Sequence, residues 1–118
     1  MQYMILALED SEAFESREDQ RADDYWSSWR GYLDALTDTG VLVDARGLHP
    51  PSTATTLRLR DGRRLLQDGP YADTKEQLGG YFILEVPTLD AALEWAERCP
   101  AALAGSVEVR PVLPPPAE

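Results

Sequence analysis

Cysteine, histidine and lysine each occur once in this chain, as Cys99, His49 and Lys75. A lone cysteine forms no internal disulfide, so nothing ties the fold to an oxidising compartment. One histidine, one cysteine and carboxylates without ligand spacing make no recognisable metal centre, and no cofactor is expected. No apolar run approaches the ~20 residues of a membrane span. The opening MQYMILALED lacks both the basic leader and the small-residue cleavage site of a signal peptide. Basic residues are scarce as well: 11 stand against 21 acids, for a net charge of −10. Nucleic acids and anionic membranes both require a cationic surface, so neither is an expected partner. The phosphate-cradling glycine loops and the nucleophile elbow are missing too. These absences leave an acidic, cytoplasmic protein.

What is present suffices for one core. The 118 residues are 43% hydrophobic, which fits a single domain over residues 1–112 followed by a proline-rich tail, 113–118. Tyr3–Leu8 reads as a short central strand, ended by an acidic, turn-like stretch. Between Glu9 and Asp24 lie eight acids and only two arginines. Ala22, Tyr25, Trp26, Trp29, Tyr32, Leu33 and Leu36 then recur at helical spacing, with Gly40 placed as the C-terminal cap. Val41–Val43 reads as a second strand, and Pro50-Pro51 as an extended crossing segment. Thr55–Arg60 and Arg63–Gln67 flank Asp61-Gly62, a hairpin with its arginines towards solvent. Tyr81–Val86 places Phe82, Leu84 and Val86 on one face. Thr88 caps a helix whose stripe is Leu89, Ala92, Leu93 and Ala96, and Ser106–Val112 is the last strand, with Pro111 placing its end at an edge or beyond the ladder.

The order is strand, helix, strand, hairpin, strand, helix, strand. That is an α+β plan, the ferredoxin-like split βαβ sandwich with an inserted hairpin and an antiparallel sheet. Both helices then cover one sheet face. The other face needs cover, and a homodimer packed sheet against sheet supplies it.

The segment Asp68-Gly69-Pro70-Tyr71-Ala72-Asp73-Thr74-Lys75-Glu76-Gln77-Leu78-Gly79-Gly80 resembles the signature of the DGPF-domain proteins in the YCII-related superfamily. Tyr71 stands for the usual Phe and Asp73 for the commoner Glu. The flanks Gly47-Leu48-His49-Pro50, Ala92-Leu93-Glu94-Trp95-Ala96 and Val107-Glu108-Val109-Arg110-Pro111 match too. The resemblance implies a dimeric α+β barrel and no established reaction. Relatives in the wider superfamily carry a His–Asp pair with its histidine on the first helix. Here Trp29 and Tyr32 hold those positions, and His49 lies in a proline-flanked loop. Some relatives are encoded beside sigma factors, which implies a regulatory partner of that kind.

Two readings of the signature stay open. As structure, Asp-Gly-Pro is a turn and Gly79-Gly80 permits a bulge or a close backbone approach. As chemistry, Asp68, Asp73, Lys75 and Glu76 crowd into nine residues. Asp68 or Glu76 would then act as general base and Lys75 as charge stabiliser on a small acidic or carbonyl substrate. Trp26, Trp29, His49, Tyr71 and Thr74 are the candidate ligand contacts, the indoles forming an apolar wall for the same loop. The first functional reading is a small-molecule-binding, regulatory dimer without chemistry, and the cofactor-free enzyme is its alternative.

Overall fold

The computed structural model describes residues 1–116. The last two residues of the expected proline-rich tail lie outside them. Four strands form one antiparallel sheet in the order β2-β5-β1-β6: β1 (Gln2–Glu9), β2 (Leu42–Gly47), β5 (Gln77–Glu85) and β6 (Ser106–Pro111). Strand β1 pairs with β5 and β6, and β2 with β5, all antiparallel. This is the ferredoxin-like order read from the sequence. The inserted hairpin, β3 (Thr55–Arg60) and β4 (Arg63–Asp68), forms a separate two-stranded sheet. Its turn puts Asp61 and Gly62 at φ 50° and 74°, the primed geometry that suits the twist of paired strands.

Alternation along β1 decides which side is the core. Tyr3, Ile5, Ala7 and Glu9 point at the helices and are buried, whereas Met4, Leu6 and Leu8 on the opposite face are only half-buried. Helix α2 (Ala22–Thr39) ends at Gly40 in the left-handed region, φ 82°, where glycine carries no Cβ penalty. Its Tyr32 and Leu36 enter the core with Ile5, Phe82 and Leu84. Ile5, Leu36 and Leu84 are completely buried, each worth about 1.5–3 kcal/mol in removed apolar surface. Cys99 is a buried core residue whose thiol burial pushes up to about 11.

Four elements depart from the sequence reading: a helix after β1, the helix that Thr88 caps, the hairpin and a short helix before β6. The acidic stretch after β1 is not a simple turn: Asp10 accepts a bond from the Ala13 amide at 3.0 Å and caps a short helix, α1 (Ser11–Ser16), which buries Phe14. Helix α3 (Leu89–Ala96), capped by Thr88, buries Ala92 and Ala96 but leaves Leu89 and Leu93 exposed. Trp95 packs against the core and its ring meets Tyr32, so the larger indole sets the helix rotation at the expense of Leu93. In the hairpin the leucines are exposed, Leu57, Leu59, Leu65 and Leu66 all lying open, whereas Arg58, expected to face solvent, is half-buried with its guanidinium over the Tyr71 ring. A short helix α4 (Ala101–Ala104) leads into β6.

No helix among the described residues is long and apolar enough to cross a membrane. Gly80 faces the Arg46 carbonyl across β2 so closely that a Cβ would stand 2.8 Å from its oxygen. Gly80→Ala should therefore part β2 from β5 and lower stability by roughly 1–3 kcal/mol. Urea unfolding measures this directly, and an unmoved midpoint would contradict the close approach.

Candidate functional site

The alternation that buries Ala7 also carries Glu9, at the end of β1, inwards until it is 4% exposed. A carboxylate taken out of water needs partners, and the following turns supply two. Helix α1 reverses the chain so that Arg17 returns beside the strand, and α2 brings Tyr25. The Tyr25 hydroxyl donates to both Glu9 oxygens, at 2.8 and 2.9 Å. Arg17 Nε donates to the Tyr25 oxygen at 3.1 Å, while Nη2 reaches Glu9 at 3.4 Å. The guanidinium also binds two backbone carbonyls, Leu48 at 2.6 Å and Gly79 at 3.2 Å. It lies over the rings of Phe14, Tyr25 and Trp26, at 4.8, 5.8 and 5.5 Å. Burial, with the Glu9 charge beside it, pushes the Tyr25 phenol up to about 12 against the pull of Arg17. Tyr25 thus remains a proton donor to Glu9 at neutral pH.

Room for this trio comes from the signature glycines. The β1–β5 register shifts between Ala7 and Leu8, opposite Gly80 and Leu78, which leaves Gly79 as the extra residue of a bulge. A Cβ on Gly79 would stand 2.6 Å from a Glu9 oxygen and 3.1 Å from Arg17. Its carbonyl accepts from the Leu48 amide, at 2.9 Å, as well as from Arg17. The glycine pair therefore holds a close backbone approach, one of the two readings left open by the sequence.

Above the trio opens a cavity of about 240 Å³ between α2 and the sheet. Trp26, Trp29 and Leu33 form its helical wall and Phe82 its sheet wall. Trp29 stacks on Phe82 with ring centres 5.9 Å apart and planes 8° from parallel. Glu9, Arg17 and Tyr25 line the inner end, and Arg30 and Arg46 also border the space. Glu9, Tyr25 and Trp29 also line a second, more polar depression with Asp10, Glu12 and Arg21, so the carboxylate sits in the partition between two openings.

Of the residues singled out from the sequence, the structure brings Trp26 and Trp29 into this cavity. His49 is exposed in the loop after β2, next to the Leu48 carbonyl that Arg17 holds. Asp68, Tyr71, Thr74 and Lys75 are exposed and outside the cavity lining. Tyr71 is 80% exposed, with the Arg58 guanidinium 5.6 Å from its ring centre. Glu76 is half-buried and accepts a bond from the Ser106 hydroxyl. The Thr74 hydroxyl donates to the Glu76 carbonyl at 2.6 Å, and the Gln77 amide to the Ala72 carbonyl at 2.8 Å, closing the loop on itself. Within one chain, then, the loop and the aromatic stripe do not form one pocket, because the hairpin carries Asp68 away on a sheet of its own. Glu9 and Arg17 were not singled out as site residues, and Tyr25 only as a member of the stripe. One signal was available: extending the Tyr3, Ile5, Ala7 alternation by one step places Glu9 on the buried face. No group of three or more histidine, cysteine or acidic side chains among the described residues could hold a metal ion.

The chain belongs to the YCII-related domain family, whose model matches residues 1–115. It is 36% identical over 118 residues to an uncharacterised protein of Rhizobium meliloti (strain 1021), covering 95% of this chain and 92% of that one. In fold it is similar to 5-chloro-2-hydroxyhydroquinone dehydrochlorinase from Burkholderia phenoliruptrix AC1100, solved with 2,5-dihydroxybenzoquinone. That likeness has a TM-score of 0.54 and 18% identity, and covers 96% of this chain and 94% of the other.

The Glu9–Arg17 pair is buried, with side chains 5% and 11% exposed, so breaking it strands a charge. Arg17→Met should cost about 3–5 kcal/mol, and adding Glu9→Gln should recover more than half of that. A double-mutant cycle by chemical denaturation reads the coupling; additive losses would show the pair to be energetically independent.

Proposed function

We propose that this YCII-related protein is a small-molecule-binding homodimer whose ligand occupies the cavity between α2 and the sheet. The observation that carries this reading is the pairing of an aromatic-walled space with a buried, hydrogen-bonded polar trio at its inner end. Binding sites are commonly mostly apolar with a few fixed polar groups. A volume of about 240 Å³ falls below the ~300–1,000 Å³ of sites for drug-sized molecules, so the ligand is a single ring or its equivalent. The ligand held by the dehydrochlorinase of similar fold, 2,5-dihydroxybenzoquinone, is of that size class.

The dimer is supported by what one chain leaves uncovered. The sheet face opposite the helices presents Met4, Leu6, Leu8, Tyr81 and Ile83, none of them fully buried. The hairpin adds four exposed leucines. The radius of gyration is 16.2 Å, against roughly 13–14 Å for a compact chain of this length. Packing two such faces together covers the apolar side chains of the sheet face, and light scattering should give a particle of two chains. Leu6→Glu, placing a charge in the middle of that face, should give a monomer. A wild-type monomer at micromolar concentration would contradict the proposal.

Acid–base catalysis is the second reading, and Glu9 favours it: a carboxylate bonded to a protonated phenol lines the cavity and reaches a second opening through which a proton could leave. Asp68 and Glu76 stand outside the cavity within one chain, so a base role for either requires a second copy to bring the loop to it. Binding is tested first. Single-ring aromatics at millimolar concentration should raise the melting temperature by mass action. Trp26→Ala should weaken that binding roughly tenfold, the scale of one aromatic contact. No stabilisation by any ring compound would refute the cavity as a binding site.

A further inference from the structure

We infer that the cavity takes a single-ring aromatic carboxylate, with its ring against Trp26 and Trp29 and its anionic group at Arg30. This deepens the binding reading above and rests on it.

The charge distribution around the cavity runs against that of the chain. The protein carries a net charge of −10, yet three arginines, Arg17, Arg30 and Arg46, line this space against one acid, Glu9. Two of the three are compensated. Arg17 is paired with Glu9, and Arg46 meets Asp44 at 2.8 Å. Arg30 forms no ion pair among the described residues, not even with Asp34 one helical turn along. One uncompensated positive charge therefore borders an aromatic-walled space on an otherwise acidic surface. An apolar-walled cleft strengthens the field of such a charge and draws an anion.

Spacing on α2 makes the two halves of the ligand one problem. Trp26, Trp29, Arg30 and Leu33 follow at intervals of three and four, which places them on one helix face and all in the cavity wall. A planar ring laid against the indoles thus has a guanidinium within a helical turn. Guanidinium and carboxylate match as planar partners, with two parallel N–H···O bonds available. The inner end fixes the orientation. The Glu9 carboxylate repels an anion there, and Tyr25 already directs its one proton to Glu9. The ligand's charge is left with the exposed rim, where Arg30 stands.

Three single-ring compounds of similar size and different charge test this: benzoate, benzyl alcohol and benzylamine, titrated calorimetrically into the full chain at low ionic strength. Benzoate should bind roughly tenfold tighter than benzyl alcohol, the scale of one partly exposed charge-assisted bond. Arg30→Gln should bring benzoate down to the alcohol's affinity, Arg30→Lys should retain most of the preference, and 0.5 M salt should shrink it. Equal or tighter binding of the alcohol or the amine by the wild type overturns the carboxylate assignment while leaving the cavity a binding site. A benzoate preference that survives Arg30→Gln overturns the role of Arg30. Failure of all three compounds to bind overturns the cavity reading itself, and the carboxylate assignment with it.

Discussion

The burial of the Glu9 carboxylate is the constraint around which the rest of this structure is arranged. Its closest partner is the Tyr25 hydroxyl, at 2.8 and 2.9 Å, and its charge partner is one guanidinium. Arg17 donates to Glu9, to the Tyr25 oxygen, and to the carbonyls of Leu48 and Gly79. Those four groups come from β1, α2, the loop after β2, and β5. A single side chain thus cross-links β1, α2, β5 and the loop after β2 around the inner end of the cavity, in a region where an unpaired charge would cost several kcal/mol. Phe14 and Trp26 cover the guanidinium with aromatic faces, which suits the weakly hydrated arginine better than it would a lysine.

This constraint gives the signature glycines their meaning. Gly79 is small because a Glu9 oxygen and Arg17 occupy the place of its side chain, and Gly80 because the backbone of Arg46 does. The segment from Asp68 to Gly80 accordingly divides in two. Its glycine end builds the partition behind the cavity. Its Asp-Gly-Pro end is a turn off the protruding hairpin, with Gly69 at φ 105°, where a left-handed backbone requires glycine. Of the ionisable side chains between them, Asp73 and Lys75 face solvent, whereas Glu76 is half-buried and accepts from the Ser106 hydroxyl.

Much of the fold was legible in the sequence because periodicity reports which face is buried. The central strand, the α2 stripe, the Gly40 and Thr88 caps and the Asp61-Gly62 hairpin all followed from local rules. Helix α1 was hidden because its sequence is acidic and its only buried residue is Phe14; the Asp10 cap, not an apolar stripe, defines it. The rotation of α3 depends on competition between Trp95 and Leu93 for the same core, which no window along the chain can weigh. The site was half legible: the indoles were, the Glu9–Arg17–Tyr25 trio was not. Ionisable residues close in sequence drew attention to Asp68–Glu76, whereas the buried ones meet across 8 and 16 positions through a helical reversal.

The central claim is that a ring ligand lies against the α2 face beside this trio. The chain has three tryptophans, of which Trp26 and Trp29 line the cavity while Trp95 packs on α3 against Tyr32 and Arg98. Their indole N–H resonances therefore give a three-signal spectrum that separates the cavity from the rest of the molecule. On titration with benzoate the Trp26 and Trp29 signals should move together to saturation and the Trp95 signal should stay in place. Three unmoved signals with benzoate, benzyl alcohol and benzylamine alike, or movement of Trp95 alone, would contradict the claim.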